Sequence, residues 1–169
     1  MEVYEAVRTV LAVREFRGDP LPEVVVRKIA RAARLTASSQ NGQPWHFVVV
    51  DDRETLRQLG ELARTGHYVG QAPLAVAVAY ETGSRFGVSD ASRAIQDMIL
   101  VAWAEGVGTN WVGFGGLEAI KPVLGLPDNL ELLAIVPFGY PAHPRKGTHK
   151  QRKPIGEVVS HNRYGQPFA

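Results

Sequence analysis

An α+β fold is the class this sequence predicts, and three observations predict it. Segments with apolar residues at helical spacing alternate with short, β-branched apolar runs, Pro, Gly and Asp punctuate the junctions, and no internal repeat is found. At 169 residues, 45% hydrophobic and 21% charged, the chain has the composition of an ordered protein. One domain over residues 1–169 is expected, able to bury about 70% of its unfolded surface.

Val3, Ala6, Val7, Val10 and Leu11 recur at helical spacing and predict a first helix over residues 2–13. Gly18, Asp19 and Pro20 break the pattern. Pro22 suits the first turn of a second helix reaching Leu35, with Val25, Ile29, Ala32 and Ala33 inward. The polar residues 36–44 belong to a loop, Trp45–Val50 is a strand, and Asp52 caps a third helix to about Ala63. A strand is expected over 73–80, its Pro tolerated at the start, then a loop over 81–88. Asp90 opens a helix to Glu105. Ile95, Met98, Ile99 and Ala102 form one stripe of it, while Leu100, Val101 and Trp103 fall elsewhere, as in a central or interface helix. Residues 109–114 read as a strand, 117–124 as a short helix and 131–138 as the last strand. The remainder, from Arg145, is polar and broken by Gly and Pro, yet carries Ile155, Val158 and Val159. It either wraps a partner or lies on its own subunit.

Composition excludes several classes. Without Cys there are no disulfides, thiolate nucleophiles or iron–sulfur ligands, and the five scattered His form no metal-ligand spacing. A net charge of +2 gives no case for nucleic acid. Apolar runs are too short for a membrane span, and residues 1–11 lack a signal-peptide core, so a cytoplasmic protein is expected. One charge run stands out: Arg145, Lys146, Lys150, Arg152 and Lys153, with His149 among them and no acid. It suits either one phosphate or a solvated tail.

The run Ser38-Ser39-Gln40-Asn41-Gly42-Gln43-Pro44-Trp45-His46-Phe47 places hydroxyls and side-chain amides between a helix end and a strand start. Such a loop can address a heterocycle or a sugar chain without net charge, or be an ordinary polar connection whose amides need partners beside the core. Gly113, Gly115 and Gly116 flank Phe114, where close backbone approach to a flat ring, or a plain turn, is possible. His46 should point away from Trp45. Gly83 and Gly87 lack the strand–Gly-x-Gly-x-x-Gly–helix context of a dinucleotide fold.

The Ser38–Phe47 run resembles the Pro-Ser-x-x-Asn-x-Gln-Pro-Trp-x-Phe signature of the nitroreductase-like flavoenzymes, with Ala37 for the usual proline. Val13-Arg14-Glu15-Phe16 with Pro20-Leu21-Pro22 is similar to the second half of that family's opening segment. Residues 90–107, Gly108-Thr109-Asn110-Trp111-Val112-Gly113-Phe114, Leu124-Gly125-Leu126-Pro127, Phe138-Gly139-Tyr140-Pro141 and Lys150-Gln151-Arg152-Lys153-Pro154 resemble later parts in order. The resemblance implies a central, mainly antiparallel sheet flanked by helices, and a homodimer with FMN in two sites lined by both subunits. Ser38, Ser39, Asn41 and Gln43 then contact ribityl or ring, and Gly113, Phe114 and Gly115 lie at the ring, where a main-chain amide can reach N5. Arg14, Lys150 and Arg152 hold the phosphate. NADH or NADPH is the transient donor, and a nitroaromatic, quinone or similar small molecule is the acceptor. The tail, residues 145–169, completes the partner. Val10, Leu11 and Ala12 depart from the pattern, standing where Arg-Arg-Ser usually contacts phosphate; Arg8 or Arg17 is a substitute, or the chain is a non-catalytic flavin or deazaflavin module. Only about ten residues separate the 73–80 strand from the central helix, too few for the helical lid of larger relatives.

Overall fold

The computed structural model describes residues 1–113, 115–143 and 150–168. The first helix, α1 (Val3–Thr9), starts where the Glu2 carboxylate accepts from the Tyr4 N–H at 3.1 Å. It stops four residues earlier than its apolar period predicts. Ala12 bridges Thr109, and the Val13 N–H donates to the Thr109 carbonyl at 2.8 Å, so pairing with a distant segment pulls the chain out of the helix. Pro22 precedes α2 (Glu23–Leu35), whose Val25, Ile29 and Ala33 are buried at the i, i+4, i+8 spacing of one helical face.

After the polar loop come β1 (Trp45–Val50) and α3 (Arg53–Leu62), the latter capped as expected: Asp52 accepts from the Thr55 N–H at 2.8 Å. A 3-10 turn, His67–Gln71, packs against α3, and β2 (Leu74–Glu81) follows. The long helix α4 (Gly87–Ala104) begins three residues before Asp90 and buries Ile95, Met98 and Ala102 completely. Leu100, Val101 and Trp103 are half-buried. The Trp103 Nε1 donates to Thr9 Oγ1 at 2.9 Å, docking the end of α1 on the last turn of α4.

Among the described residues the strand expected over 109–114 is interrupted: β3 is the pair Gly108–Thr109, and beyond it Val112 bridges Ile135, while the Asn110 side-chain amide hydrogen-bonds the Tyr68 hydroxyl. The helix expected over 117–124 is one 3-10 turn, Leu117–Ile120. Pro122 lacks the N–H that would continue an α-helix. β4 (Leu130–Gly139) is longer than predicted at both ends. Among the described residues of the tail, one short helix, α5 (Ile155–Val158), is formed, and residues 151–168 are exposed apart from a half-buried Val159.

All three strand pairings are antiparallel, in the order β1-β2-β4-β3. β2 is the hub: Tyr80 faces Trp45 of β1, and Leu74 faces Phe138 of β4, with one irregularity between Val78 and Ala79. Its Leu74, Val76 and Val78 join α2 and α4 in one core, and its Ala75 and Ala77 join α3, Val69 and Ile120 in another on the opposite face. The result is a helix–sheet–helix sandwich, the antiparallel α+β architecture expected. Among the described residues, no helix is long and apolar enough to cross a membrane.

Candidate flavin site

The polar loop between α2 and β1 is folded tightly. Ser39–Asn41 make one 3-10 turn, with the Asn41 N–H donating to the Ser38 carbonyl at 3.1 Å and the Gly42 N–H to that of Ser39 at 3.0 Å. Gln40, Asn41 and Gln43 adopt φ of 55°, 55° and 49°. Three left-handed non-glycine residues in four positions is unusual, and each costs about 1–3 kcal/mol unless its surroundings enforce it.

Those surroundings are visible. The Ser38 hydroxyl accepts from the Gln43 N–H at 3.0 Å, and the Gln43 carboxamide Nε2 donates to the Asn41 carbonyl at 3.3 Å. From α4, Asp90 accepts from the Ser39 N–H at 3.0 Å and from its hydroxyl at 3.3 Å. Asp90 is fully buried and ion-paired with Arg93. The side chains of Asn41 and Gln43 remain exposed, beside a buried Pro44. Alternation along β1 puts Trp45 and Phe47 on the core, ring centroids 6.0 Å apart, and leaves His46 exposed, as expected.

Of the glycine-rich segment, Phe114 lies outside the described residues. Gly115 and Gly116 both take φ of +81°, the left-handed region that favours glycine. A Cβ at Gly116 would collide with the Leu62 carbonyl at the end of α3, and one at Gly113 with the Trp111 indole nitrogen. Packing within the chain therefore already requires glycine at 116, and a side chain at 113 would displace the Trp111 indole, whereas Gly115 is exposed, bordered by the aliphatic stem of Arg64.

The candidate phosphate residues lie outside this loop. The Lys150 ammonium donates to the Val7 carbonyl in the last turn of α1 at 2.6 Å. Burial and the nearby positive charge of Arg152 push its pKa below the ordinary lysine value. The Arg152 guanidinium donates to the Gln151 carbonyl at 2.8 Å. Arg14 is exposed and makes no ion pair among the described residues: Asp19 is taken by Arg17 at 3.2 Å, and Glu15 lies 3.4 Å from His143. The two substitutes considered for phosphate are engaged. Arg8 pairs with Glu5 at 2.7 Å, and Arg17 also stacks on Tyr140 at 5.1 Å. Among the described residues, no three His, Asp or Glu side chains gather as a metal site requires.

The Nitroreductase family profile matches this chain over residues 8–85 and 67–140. The protein belongs to the nitroreductase family. It is 33% identical over 150 residues to a protein of Methanothermobacter thermautotrophicus named as an NADH dehydrogenase/NAD(P)H nitroreductase, covering 84% of this chain and 78% of that one. A protein of Archaeoglobus fulgidus with the same name is 31% identical, covering 83% and 86% of the two chains. The crystal structure of a like-named protein from Parabacteroides distasonis superposes with a TM-score of 0.88 at 27% identity, over 96% of this chain and 98% of that one.

As a member of the nitroreductase family the chain is, in general terms, a flavin-dependent oxidoreductase. Residues 10–12 are put to structural use: the Val10 N–H closes α1 on the Ala6 carbonyl, and Ala12 bridges Thr109. The residue whose site contact the sequence did not advertise is Asp90. An acid ahead of an apolar helical run reads as a helix opener. Its second use, toward Ser39, depends on a contact 51 positions away in the chain.

Proposed function

We propose that this nitroreductase is a homodimeric FMN enzyme that passes electrons from NADH or NADPH to a nitroaromatic, quinone or similar small acceptor. The observation that carries the reading is the Ser38–Gln43 loop, held in a costly backbone conformation with the neutral amide side chains of Gln40, Asn41 and Gln43 left exposed. Strain of this kind is retained at ligand-contacting sites.

The residues fit the cofactor. Asn41 and Gln43 offer uncharged donors and acceptors for ribityl hydroxyls or ring edges, and the Ser38 and Ser39 oxygens lie in the same turn. Lys150 and Arg152, two positions apart on a stretch of the tail without acids, favour an anion such as phosphate, with Arg14 as the third member of the set. FMN, when bound, supplies the ring system that carries the electrons, and the chain supplies orientation and hydrogen bonds. No side chain is assigned as nucleophile or acid. No Gly-x-Gly-x-x-Gly stands between strand and helix, so the nicotinamide cofactor visits the flavin face instead of residing in a cleft of its own.

Two copies are part of the proposal. In one chain the loop is tied to Asp90 in the first turn of α4, while the end of α1, which Lys150 contacts, docks on Trp103 in the last. At 1.5 Å per residue these points are about 20 Å apart. Pairing two chains in opposite directions would set the loop of one beside the basic set of the other.

The test is spectroscopic. The purified protein should carry, or take up, a chromophore released as FMN. Stopped-flow absorbance should show it bleached by NADH or NADPH and restored by a nitroaromatic or quinone. A bound flavin that dithionite reduces but neither nicotinamide does would favour a non-catalytic flavin or deazaflavin module. The absent Arg-Arg-Ser contacts at residues 10–12 are the observation that favours this second reading.

A further inference from the structure

α4 carries two carboxylates seven residues apart, hence on one face two turns apart, and both reach the same polar loop. Asp97 Oδ2 accepts from the Thr36 hydroxyl at the end of α2 at 2.6 Å. Asp90 accepts from both the main-chain N–H and the hydroxyl of Ser39, and Ser89 Oγ lies 3.4 Å away. The loop is thus pinned at its entry and at its tight turn, immediately before the three left-handed residues Gln40, Asn41 and Gln43.

A helix start needs no fully buried charge. Burying a carboxylate is expensive unless it is paired and hydrogen-bonded, and the uncharged Ser or Asn caps a helix nearly as well. What the ionised group adds is two strong acceptors aimed at one residue of the loop, with Arg93 as countercharge. We propose that Asp90, seconded by Asp97, is a positioning residue that fixes the Ser38–Gln43 loop in the conformation that binds flavin. The proposal rests on the flavin reading above.

Two substitutions break the clamp from opposite sides. Asp90→Asn replaces one of the two acceptor oxygens by a donor and removes the charge that pairs with Arg93. Ser39→Pro removes both donors at once, the main-chain N–H and the hydroxyl, while leaving Asp90 and its ion pair with Arg93 in place, and the extended backbone of Ser38 (φ −123°, ψ 156°) accepts a following proline. Dissociation constants for FMN and riboflavin are measured by fluorescence at a temperature where far-ultraviolet circular dichroism shows each variant folded. In both variants both constants should rise by the same factor, about tenfold or more, because the loop addresses the part common to the two ligands. The visible circular dichroism of the bound flavin should change as well. Asp97→Asn should act in the same direction with a smaller factor.

A merely structural role would lower the melting temperature and leave both constants unchanged in the folded protein; that result overturns the proposal. A loss confined to FMN overturns it too, since it would locate the effect at the phosphate. If Asp90→Asn fails to fold, Asp97→Asn, which leaves every candidate flavin contact in place, decides: unchanged constants for both flavins overturn the proposal. Wild-type protein that takes up neither flavin overturns the flavin reading and this proposal together, whereas wild-type binding beside unchanged variants overturns this proposal only.

Discussion

Lys150 sits where its charge is tunable: its ammonium faces the Val7 carbonyl, is partly desolvated, and has Arg152 nearby. In the folded protein its pKa is lowered from 10.5, so the folded state holds this proton less tightly than the unfolded one. The stability cost applies at pH below the lowered value and fades as pH rises toward 10.5. A phosphate beside it reverses the preference. FMN affinity should therefore be full below the lowered pKa and fall as pH rises through it, while riboflavin affinity stays flat; titrations of both ligands between neutral pH and 10.5 check this. Equal slopes would remove Lys150 from the phosphate set. Arg152→Glu gives the companion result, FMN weakened about tenfold or more with riboflavin little changed, read by equilibrium dialysis.

At the scale of elements, α3 and the His67–Gln71 turn meet through Gly60. A Cβ there would stand 2.7 Å from the Gly70 nitrogen and 2.9 Å from the His67 carbonyl oxygen, both main-chain atoms. Gly60→Ala should destabilise by about 1–3 kcal/mol despite alanine's better helix propensity, because overpacking against backbone outweighs it. Gly70→Ala, whose nearest contact would be 3.5 Å, should be close to neutral; urea midpoints compare the two. The existence and order of most elements were legible in the sequence, since apolar period reports which face is buried. Boundaries were lost where distant partners took or withheld the hydrogen bonds. Val13 pairs with Thr109 and cuts α1 short, and the predicted strand is interrupted at Asn110, which the register from Thr109↔Phe138 to Val112↔Ile135 sets opposite Pro137, a residue with no N–H to give the ladder. The loop itself was legible from its amides and hydroxyls. The carboxylates that hold it were not, because local sequence cannot reveal what an acid on α4 reaches across the fold.

For the whole molecule, the exposed apolar side chains are informative. Val3, Tyr4 and Val7 of α1, and Ile155, Val158, Tyr164 and Phe168 of the tail, all face solvent in the single chain, and Tyr164 has no cover at all. Apolar surface of this kind on polar, broken chain fits an arm laid on a second copy. A chain shortened to residues 1–144 should lose flavin and sediment as monomer or aggregate, and the full chain should sediment as a dimer tightened by FMN, because a ligand of the assembled state shifts assembly by mass action. Analytical ultracentrifugation with and without FMN tests it: a flavin-loaded full-length monomer, or a flavin-loaded truncated dimer, would contradict the arrangement. The hub position of β2 has a consequence for how the chain is made. One edge of this strand can pair with β1 soon after synthesis, but the other waits for β4, with residues 82–129 in between. Such non-local pairing makes folding slow. On the ribosome a strand buried on both faces in the native state would stay half-paired until residue 139 emerges, which makes that interval the one in which the nascent chain most needs protection from aggregation.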